Sequence, residues 1–327
     1  MKKILTITLT TIFIIILSFN AYSIKVKETG IKDFPISGTV IKVLTYNNYY
    51  LIVNQALGVK VYKKTDKNFK NIKGFLQIKV LDALVIKNRL YLLNDEEGFF
   101  IYEITKNGDK IEFLSIYAFL TDLEVEFKKM TSHKNYLILT GKYGEIYVFD
   151  SNDLKSNDPV FVSSVPNSLI ISDLLIYKDE YLLIGDARKG LFIYQIRPKG
   201  ELKYIKDIPF EDGVTTLYHH KLEDLLYIGN STGIHICTFN NLKLEEQFYL
   251  SIHLKLINDI LVLDDFLYYV SEQEFGVVEI SNKKKYNELL FLDMHCYTFQ
   301  LFFISKNEFL IPAYCSGLKK VELKYYE

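Results

Sequence analysis

The sequence has no tryptophan, three cysteines and six prolines among its 327 residues. Without tryptophan, the Trp-containing repeat boxes of sialidases and the Trp-Asp dipeptide of another large repeat class cannot occur. The chain also has no H-E-x-x-H zinc motif, no phosphate-cradling glycine loop and no EF-hand calcium loop. We therefore predict no catalytic residue, no metal and no cofactor, and we favour a protein without enzymatic activity.

The chain also has almost no net charge. Its 39 basic residues nearly balance 40 acidic ones, giving a formal charge of −1. Strongly basic surfaces are the usual electrostatic signature of proteins that bind nucleic acid or anionic membranes. We therefore predict no nucleic-acid partner. Aromatic residues are abundant instead, with 25 Tyr and 23 Phe available for packing between sheets.

The first 23 residues follow the order of a secretory signal peptide. A lysine pair precedes an apolar run from Ile4 to Phe19, and small residues follow at Ala21 and Ser23. The run is shorter than the roughly 20 residues of a comfortable membrane span. We predict cleavage near Ser23, export to the periplasm, cell surface or medium, and no membrane span after cleavage. The alternative is an uncleaved segment that tethers a structural envelope protein.

A glycine followed by an alternating apolar strand recurs seven times after this segment. The spacings of 40, 46, 46, 43, 43 and 41 residues are typical of one β-propeller blade per repeat. Alternating apolar residues on both sides of a polar, glycine-ended turn predict a β-hairpin in each unit, forming the second and third strands of the blade. The seven repeat glycines are Gly58, Gly98, Gly144, Gly190, Gly233, Gly276 and Gly317.

A fourth, outer strand follows the hairpin in only six units, the first of them predicted at Phe75 to Val80. The seventh unit has no room for one, whereas residues 24–36 form an unassigned extended segment. We predict an all-β, seven-bladed propeller of four-stranded antiparallel blades, with residues 24–36 closing the ring as the missing strand. Residues 24–327 would then form a single domain.

Two units carry a family resemblance. Tyr181–Asp186 with Gly190–Ile196, and Gly144–Asp150 followed by Ser151-Asn152-Asp153 and Pro159, resemble the repeats of the LVIVD-repeat family. The resemblance covers essentially the whole predicted mature chain. It implies a propeller-like fold and export. The family offers no general reaction or catalytic residues to carry over.

Polar residues concentrate on one face of the predicted ring. The loops that enter each blade and the turns between its second and third strands lie on this side, which we call the loop face. These residues could make an acidic mouth for a cation or a basic partner. The alternative is that an Asp at a strand entrance caps its own turn, as the contexts of Asp173 and Asp259 suggest. The candidates are Asp82, Asp173, Asp212, His253, Asp259, His295, Asp186 and Arg188.

The cysteines give a separate prediction. Cys296 enters the seventh blade, and Cys315 lies in the turn between its second and third strands, so both fall on the loop face. They can form a disulfide if their Cα atoms lie within about 7 Å and the compartment is oxidising. Two unpaired thiols are the alternative. Cys237 lies in an alternating strand and is predicted to be a buried free thiol.

These features favour an exported binding or scaffolding protein. Its rigid loop face would recognise a ligand, and we predict that another envelope or extracellular protein is the partner. A hydrolase or lyase using acidic residues at the channel mouth is the alternative from another class, since carboxylates of different blades can meet there.

Overall fold

The computed structural model describes residues 25–65, 71–94, 98–108, 110–120, 126–153, 158–166, 168, 170–252, 255–281, 286–315 and 317–326. The predicted signal segment, residues 1–23, and the candidate His253 lie outside these ranges.

The described residues form seven four-stranded antiparallel sheets, which confirms the predicted seven-bladed propeller. The first three blades contain β2 (Val40–Tyr46), β3 (Tyr49–Asn54), β4 (Gly58–Lys63) and β5 (Asn71–Leu76); β6 (Asp82–Ile86), β7 (Arg89–Asn94), β8 (Gly98–Asn107) and β9 (Lys110–Leu120); and β10 (Phe127–His133), β11 (Tyr136–Gly141), β12 (Glu145–Asp150) and β13 (Val160–Ser164).

The next three blades repeat this order from the channel outward. They contain β14 (Ile171–Tyr177), β15 (Tyr181–Asp186), β16 (Gly190–Ile196) and β17 (Leu202–Pro209); β18 (Thr216–His220), β19 (Leu225–Gly229), β20 (Gly233–Asn240) and β21 (Lys243–Ser251); and β22 (Ile257–Leu263), β23 (Phe266–Ser271), β24 (Glu274–Glu279) and β25 (Asn287–Asp293). A short 3₁₀ turn, Pro198–Gly200, precedes β17.

The seventh blade joins the two ends of the described chain. It contains β26 (Phe302–Ser305), β27 (Glu308–Ala313) and β28 (Gly317–Tyr326), and its outer strand is β1 (Lys25–Pro35). β1 runs antiparallel to β28, from Lys25 opposite Tyr326 to Pro35 opposite Gly317. The predicted closing strand is therefore confirmed, and its pairing leaves no open sheet between the first and last blades.

The core is divided among the interfaces between blades. Within the described residues, seven apolar clusters each join two neighbouring blades. At the ring closure, Phe34 and Ile36 pack with Ile52 of the first blade and with Leu310 and Leu318 of the seventh. Because one face of each sheet is buried only against the next blade, every interface contributes to the stability of the whole ring.

One strand assignment and one repeat-glycine position from the sequence are wrong. The first outer strand is Asn71–Leu76 rather than Phe75 to Val80, because residues 77–80 form a non-strand link whose buried Val80 and half-buried Ile78 pack into the first interface. In the sixth blade, the position of the repeat glycine is occupied by Glu274, which is the first residue of β24 and accepts the hydroxyl of Ser271 at 3.3 Å. Gly276 lies two residues further on, where a Cβ would overlap the ring of Tyr269.

Gly58 gives a stability prediction at the hairpin turn. Its φ is +87°, and a Cβ there would overlap the backbone oxygen of Leu76. We expect Gly58→Ala to lower the free energy of unfolding by roughly 3 kcal/mol, through left-handed strain plus the overlap. Gly108→Ala is the matched control, because its φ is +61° but nothing lies within 4 Å. Urea unfolding should show a clearly smaller loss for Gly108→Ala; equal losses would contradict the packing argument.

Candidate functional site

Seven side chains meet where the inner strands open onto the loop face. Six of them lie at the same register position of an inner strand, for example Lys42 opposite Val53 and Asp173 opposite Gly185, and Gln300 precedes the inner strand of the seventh blade. Together they line a cavity of about 360 Å³ at the mouth of the central channel. We call this set the mouth ring. Its members are Lys42, Asp82, Lys129, Asp173, Thr216, Asp259 and Gln300.

The Asp82 carboxylate joins its blade to both neighbours. Oδ1 accepts the backbone N–H of Ala83 at 2.8 Å and the ammonium of Lys42, from the preceding blade, at 2.7 Å. Oδ2 accepts the N–H of Met130, in the following blade, at 3.0 Å. Asp82 therefore caps its own strand and also holds three consecutive blades together.

Asp173 and Asp259 repeat this arrangement. Asp173 accepts the N–H of the next residue at 2.8 Å, and its second oxygen accepts the N–H of Leu217 in the following blade at 2.7 Å. Asp259 does the same with the next residue at 2.9 Å and with Leu301 at 2.8 Å. One oxygen of each carboxylate therefore caps its own turn, as the alternative predicted, and the other oxygen bonds the following blade.

Gln300 completes the series, because its Oε1 accepts the N–H of Val43 at 3.1 Å and so links the seventh blade to the first. A buried N–H without a partner costs free energy, so these four acceptors stabilise the inner ring.

The three carboxyl groups titrate differently. Burial favours the protonated form of all three. For Asp82, the charges of Lys42 and Lys129 outweigh this effect, and the pKa is lowered. Burial dominates for Asp173, whose pKa is raised. For Asp259, burial, with a contribution from the charge of Asp173, raises the pKa to about 7. The mouth therefore carries less negative charge near neutrality than its three carboxyl groups suggest.

The other predicted candidates lie outside the ring. Asp186 is fully buried and closes its own turn, accepting the N–H groups of Arg188 at 2.9 Å and Lys189 at 3.0 Å. Arg188 itself is exposed at the tip of that turn. Asp212 is exposed and accepts the hydroxyl of Thr232 at 3.1 Å. These side chains lie on the loop face but do not converge on one site.

His295 is 82% exposed beside Asp293, with 3.2 Å between Nδ1 and Oδ2. Among the described residues, no group of three or more His, Cys, Asp or Glu side chains could hold a metal ion.

The mouth is not the acidic surface that the sequence suggested, because Lys42, Lys129 and Gln300 occupy three of its seven positions. The repeat period could have found them. Each ring residue lies 15 to 17 positions before the repeat glycine of its unit. Lys42 and Lys129 are basic residues at the positions equivalent to the acidic candidates, so a prediction based on acidic and histidine residues does not include them.

The seventh blade presents a second feature on the loop face. Cys296 and Cys315 are joined as a disulfide with their Cα atoms 5.8 Å apart. Beside it, Tyr314 is 62% exposed and Tyr297 is 37% exposed, and the N–H of Tyr314 bonds the oxygen of Tyr297 at 2.8 Å. We call His295, Tyr297, Tyr314 and the disulfide the blade 7 patch.

The disulfide gives a second stability prediction. It spans 19 residues, and closing a loop of this length stabilises the folded state by about 3 kcal/mol. We expect a reductant to lower the melting temperature of the wild-type protein. The double variant Cys296→Ser/Cys315→Ser should start lower and not respond, because Cys237 is a buried free thiol. A wild-type melting temperature that is insensitive to full reduction would contradict the prediction.

One pentapeptide, Gly229-Asn230-Ser231-Thr232-Gly233, matches the G-x-S-x-G spacing of a hydrolase nucleophile elbow. That elbow requires a strand-to-helix turn. Here the segment is the tight turn between β19 and β20, and Asn230 Oδ1 accepts the N–H groups of Thr232 at 2.9 Å and Gly233 at 2.8 Å. The match is therefore turn chemistry.

Within the described ranges, the structure contains no helix long and apolar enough to span a membrane.

The seven four-stranded sheets define a β-propeller, and several solved structures resemble it. The computationally designed Ika8 protein has 13% identity and a TM-score of 0.61, covering 90% of this chain and 100% of its own. The Cps50 (Swd1) β-propeller domain of Myceliophteria thermophila has 11% identity and a TM-score of 0.68, covering 90% and 98%.

The extracellular domain of BT4673 from B. thetaiotaomicron has 14% identity and a TM-score of 0.63, and 90% of this chain matches 40% of that one. This chain thus spans less than half of that neighbour. At these identities, the similarity shows the fold alone. No protein-family profile and no curated protein matches the sequence.

Proposed function

We propose that this protein is an exported propeller that binds a partner protein of the cell envelope or exterior through its loop face. The observation that carries the proposal is the blade 7 patch, where a disulfide and a backbone hydrogen bond join the two chain segments that carry exposed Tyr297 and Tyr314. We also propose, from the repeat resemblance, that it belongs to the LVIVD-repeat family.

Tyrosine pairs suit a protein interface for a physical reason. A tyrosine offers a large flat surface and one hydroxyl while losing few side-chain rotamers on binding, and it is enriched among the residues that dominate binding energy. The disulfide and the backbone bond between Tyr297 and Tyr314 reduce the ordering cost further. Exposed Asp293 and His295 beside them supply the polar rim that such interfaces have.

In-cell photo-crosslinking tests the binding face. A photoreactive residue replaces Tyr314 in one variant and Leu222 in another. Leu222 is 92% exposed but lies in the turn between β18 and β19, on the opposite face. We expect a reproducible protein adduct from position 314, absent from position 222 and lost when Tyr297→Ala is added. Adducts from 222 alone, or none from 314 in a folded protein, would argue against the proposal.

Export is proposed from the leader pattern, and the disulfide supports it because structural disulfides persist in oxidising compartments. We expect mass spectrometry of the protein recovered from cells to find a mature chain beginning near Ile24, outside the cytoplasm. A chain that retains residues 1–23 in the membrane fraction would favour the tethered structural protein instead.

One observation favours a second candidate, an acid–base hydrolase or lyase at the mouth. Asp259 has a pKa of about 7 in a cavity that it shares with Asp173, and such groups are candidates for proton transfer. The hydrogen bonds weigh against it, since both oxygens of each carboxylate accept backbone N–H groups. Turnover of a substrate that Asp259→Asn abolishes in a stably folded protein would establish the enzyme.

A further inference from the structure

In the mouth cavity, the hydrogen-bond acceptors of the ring side chains already bond the protein, whereas several donors have no partner among the described residues. Asp82, Asp173 and Asp259 each receive a backbone N–H at both oxygens. The oxygen of Gln300 is also taken, by Val43. The lining therefore has few free acceptors for a cation or a hydrogen-bond donor.

Lys129 is the clearest available donor. It lies in the third blade between Asp82 and Asp173 in the ring. Its charge favours the ionised form of both carboxyl groups, although burial outweighs it at Asp173 and raises that pKa. Its ammonium nonetheless makes no hydrogen bond to any described residue, although the side chain is half-buried and lines the cavity. An ammonium has three N–H donors, and all three are unused within the described part of the chain.

Lys42 and Gln300 add further donors at the same level. Lys42 uses one N–H on Asp82 and keeps two, and it is 24% exposed toward the cavity. The amide nitrogen of Gln300 has no partner among the described residues, while its oxygen fixes the orientation of the group. Lys42 and Gln300 come from adjacent blades, and Lys129 lies two blades beyond Lys42, so donors approach the cavity from different sides.

The negative charge of the cavity only weakly opposes a ligand that accepts hydrogen bonds from these donors. Lys42 is paired directly with Asp82. Burial raises the pKa of Asp173, and it raises that of Asp259 to about 7, so part of the charge of Asp259 is absent at neutral pH. The Lys129 ammonium has unused N–H groups, and the carboxylates already accept backbone N–H groups. The lining therefore favours a ligand that accepts hydrogen bonds.

We propose that the mouth cavity binds a small anion with hydrogen-bond-accepting oxygens, a carboxylate or a sulfate-like or phosphate-like oxyanion, through Lys129, Lys42 and Gln300. The cavity of about 360 Å³ lies at the small end of ligand sites. This inference does not depend on the protein-binding proposal.

Isothermal titration of the purified protein tests the site, with sulfate and acetate as probes and chloride holding the ionic strength constant. Sulfate keeps its charge across neutral pH, and the acetate arm distinguishes a carboxylate site from one that prefers an oxyanion. We expect saturable binding of at least one probe, weakened at least tenfold by Lys129→Met and retained by Lys129→Arg.

Lys128→Met is the matched control. It removes the same charge one residue away, from a side chain that is paired with Glu126 and does not line the cavity. We expect it to bind the probe as the wild type does. Saturable binding of neither anion, or equal weakening by Lys128→Met and Lys129→Met, would overturn the proposal, the latter because it would reflect general surface charge.

Discussion

Deletion of residues 25–35 will unfold the propeller or leave it with a small part of its stability. These residues are β1, which supplies the fourth strand of the seventh blade. Removal exposes the edge of β28 and takes Phe34 and Val26 out of the two apolar clusters on either side of that blade. The stabilisation lost with this strand is comparable with the whole free energy of unfolding of a domain, about 5–15 kcal/mol.

Two point variants of the same strand test this prediction if the deletion does not fold. Phe34 is 6% exposed and Ile31 is 38% exposed. We expect Phe34→Ala to cost about 3–5 kcal/mol and Ile31→Ala well under 1 kcal/mol, measured by urea unfolding. An unchanged melting temperature after the deletion, or equal effects of the two substitutions, would show that β1 does not hold the ring closed.

The second large effect concerns Asp259 and pH. Burial raises its pKa from the ordinary 3.8 to about 7, and the groups whose charges act on it are Asp173 and Lys42. Between these pH values, the folded protein holds a proton that the unfolded chain has released. Each unit of rising pH therefore lowers the free energy of unfolding by about 1.4 kcal/mol. The contribution of Asp259 to stability falls by about 4 kcal/mol from pH 4 to pH 8.

Urea unfolding of the wild type and Asp259→Asn at several pH values measures this effect. The advantage of the wild type over the variant should be largest near pH 4 and should shrink steadily up to pH 8. Asp82→Asn is the control with the opposite sign, because the pKa of Asp82 is lowered and its contribution is lost only under acidic conditions. A wild-type advantage over Asp259→Asn that does not change with pH would contradict the raised pKa.

The ring architecture was predictable because each blade needs the same turn. Six of the seven repeat glycines lie at or directly before the start of a third strand, as Gly190 does for β16. The sixth blade departs because Glu274 stands in place of glycine, and the sequence pattern points instead to Gly276, two residues later. Alternation of apolar residues also misled at residues 77–80, since a link packed into an interface shows the same pattern as a strand.

The mouth was only partly predictable. The sequence placed Asp82, Asp173 and Asp259 on the correct face, and the local cap of each carboxylate follows from ordinary turn chemistry. The second bond of each Asp crosses to the following blade, more than 40 residues away, as from Asp173 to Leu217. Such a contact depends on the position of one blade relative to the next. The local sequence pattern of a single blade does not determine that position.

We propose that the loop face binds a protein partner and that the blade 7 patch supplies the main contacts. Size-exclusion analysis of the native protein in gently extracted envelope and medium fractions tests this most directly. We predict that the wild type and Leu222→Ala elute in a complex larger than the free protein, and that Tyr297→Ala/Tyr314→Ala elutes as the free, folded protein. A complex that survives the double substitution, or free protein in all three cases, would contradict the claim.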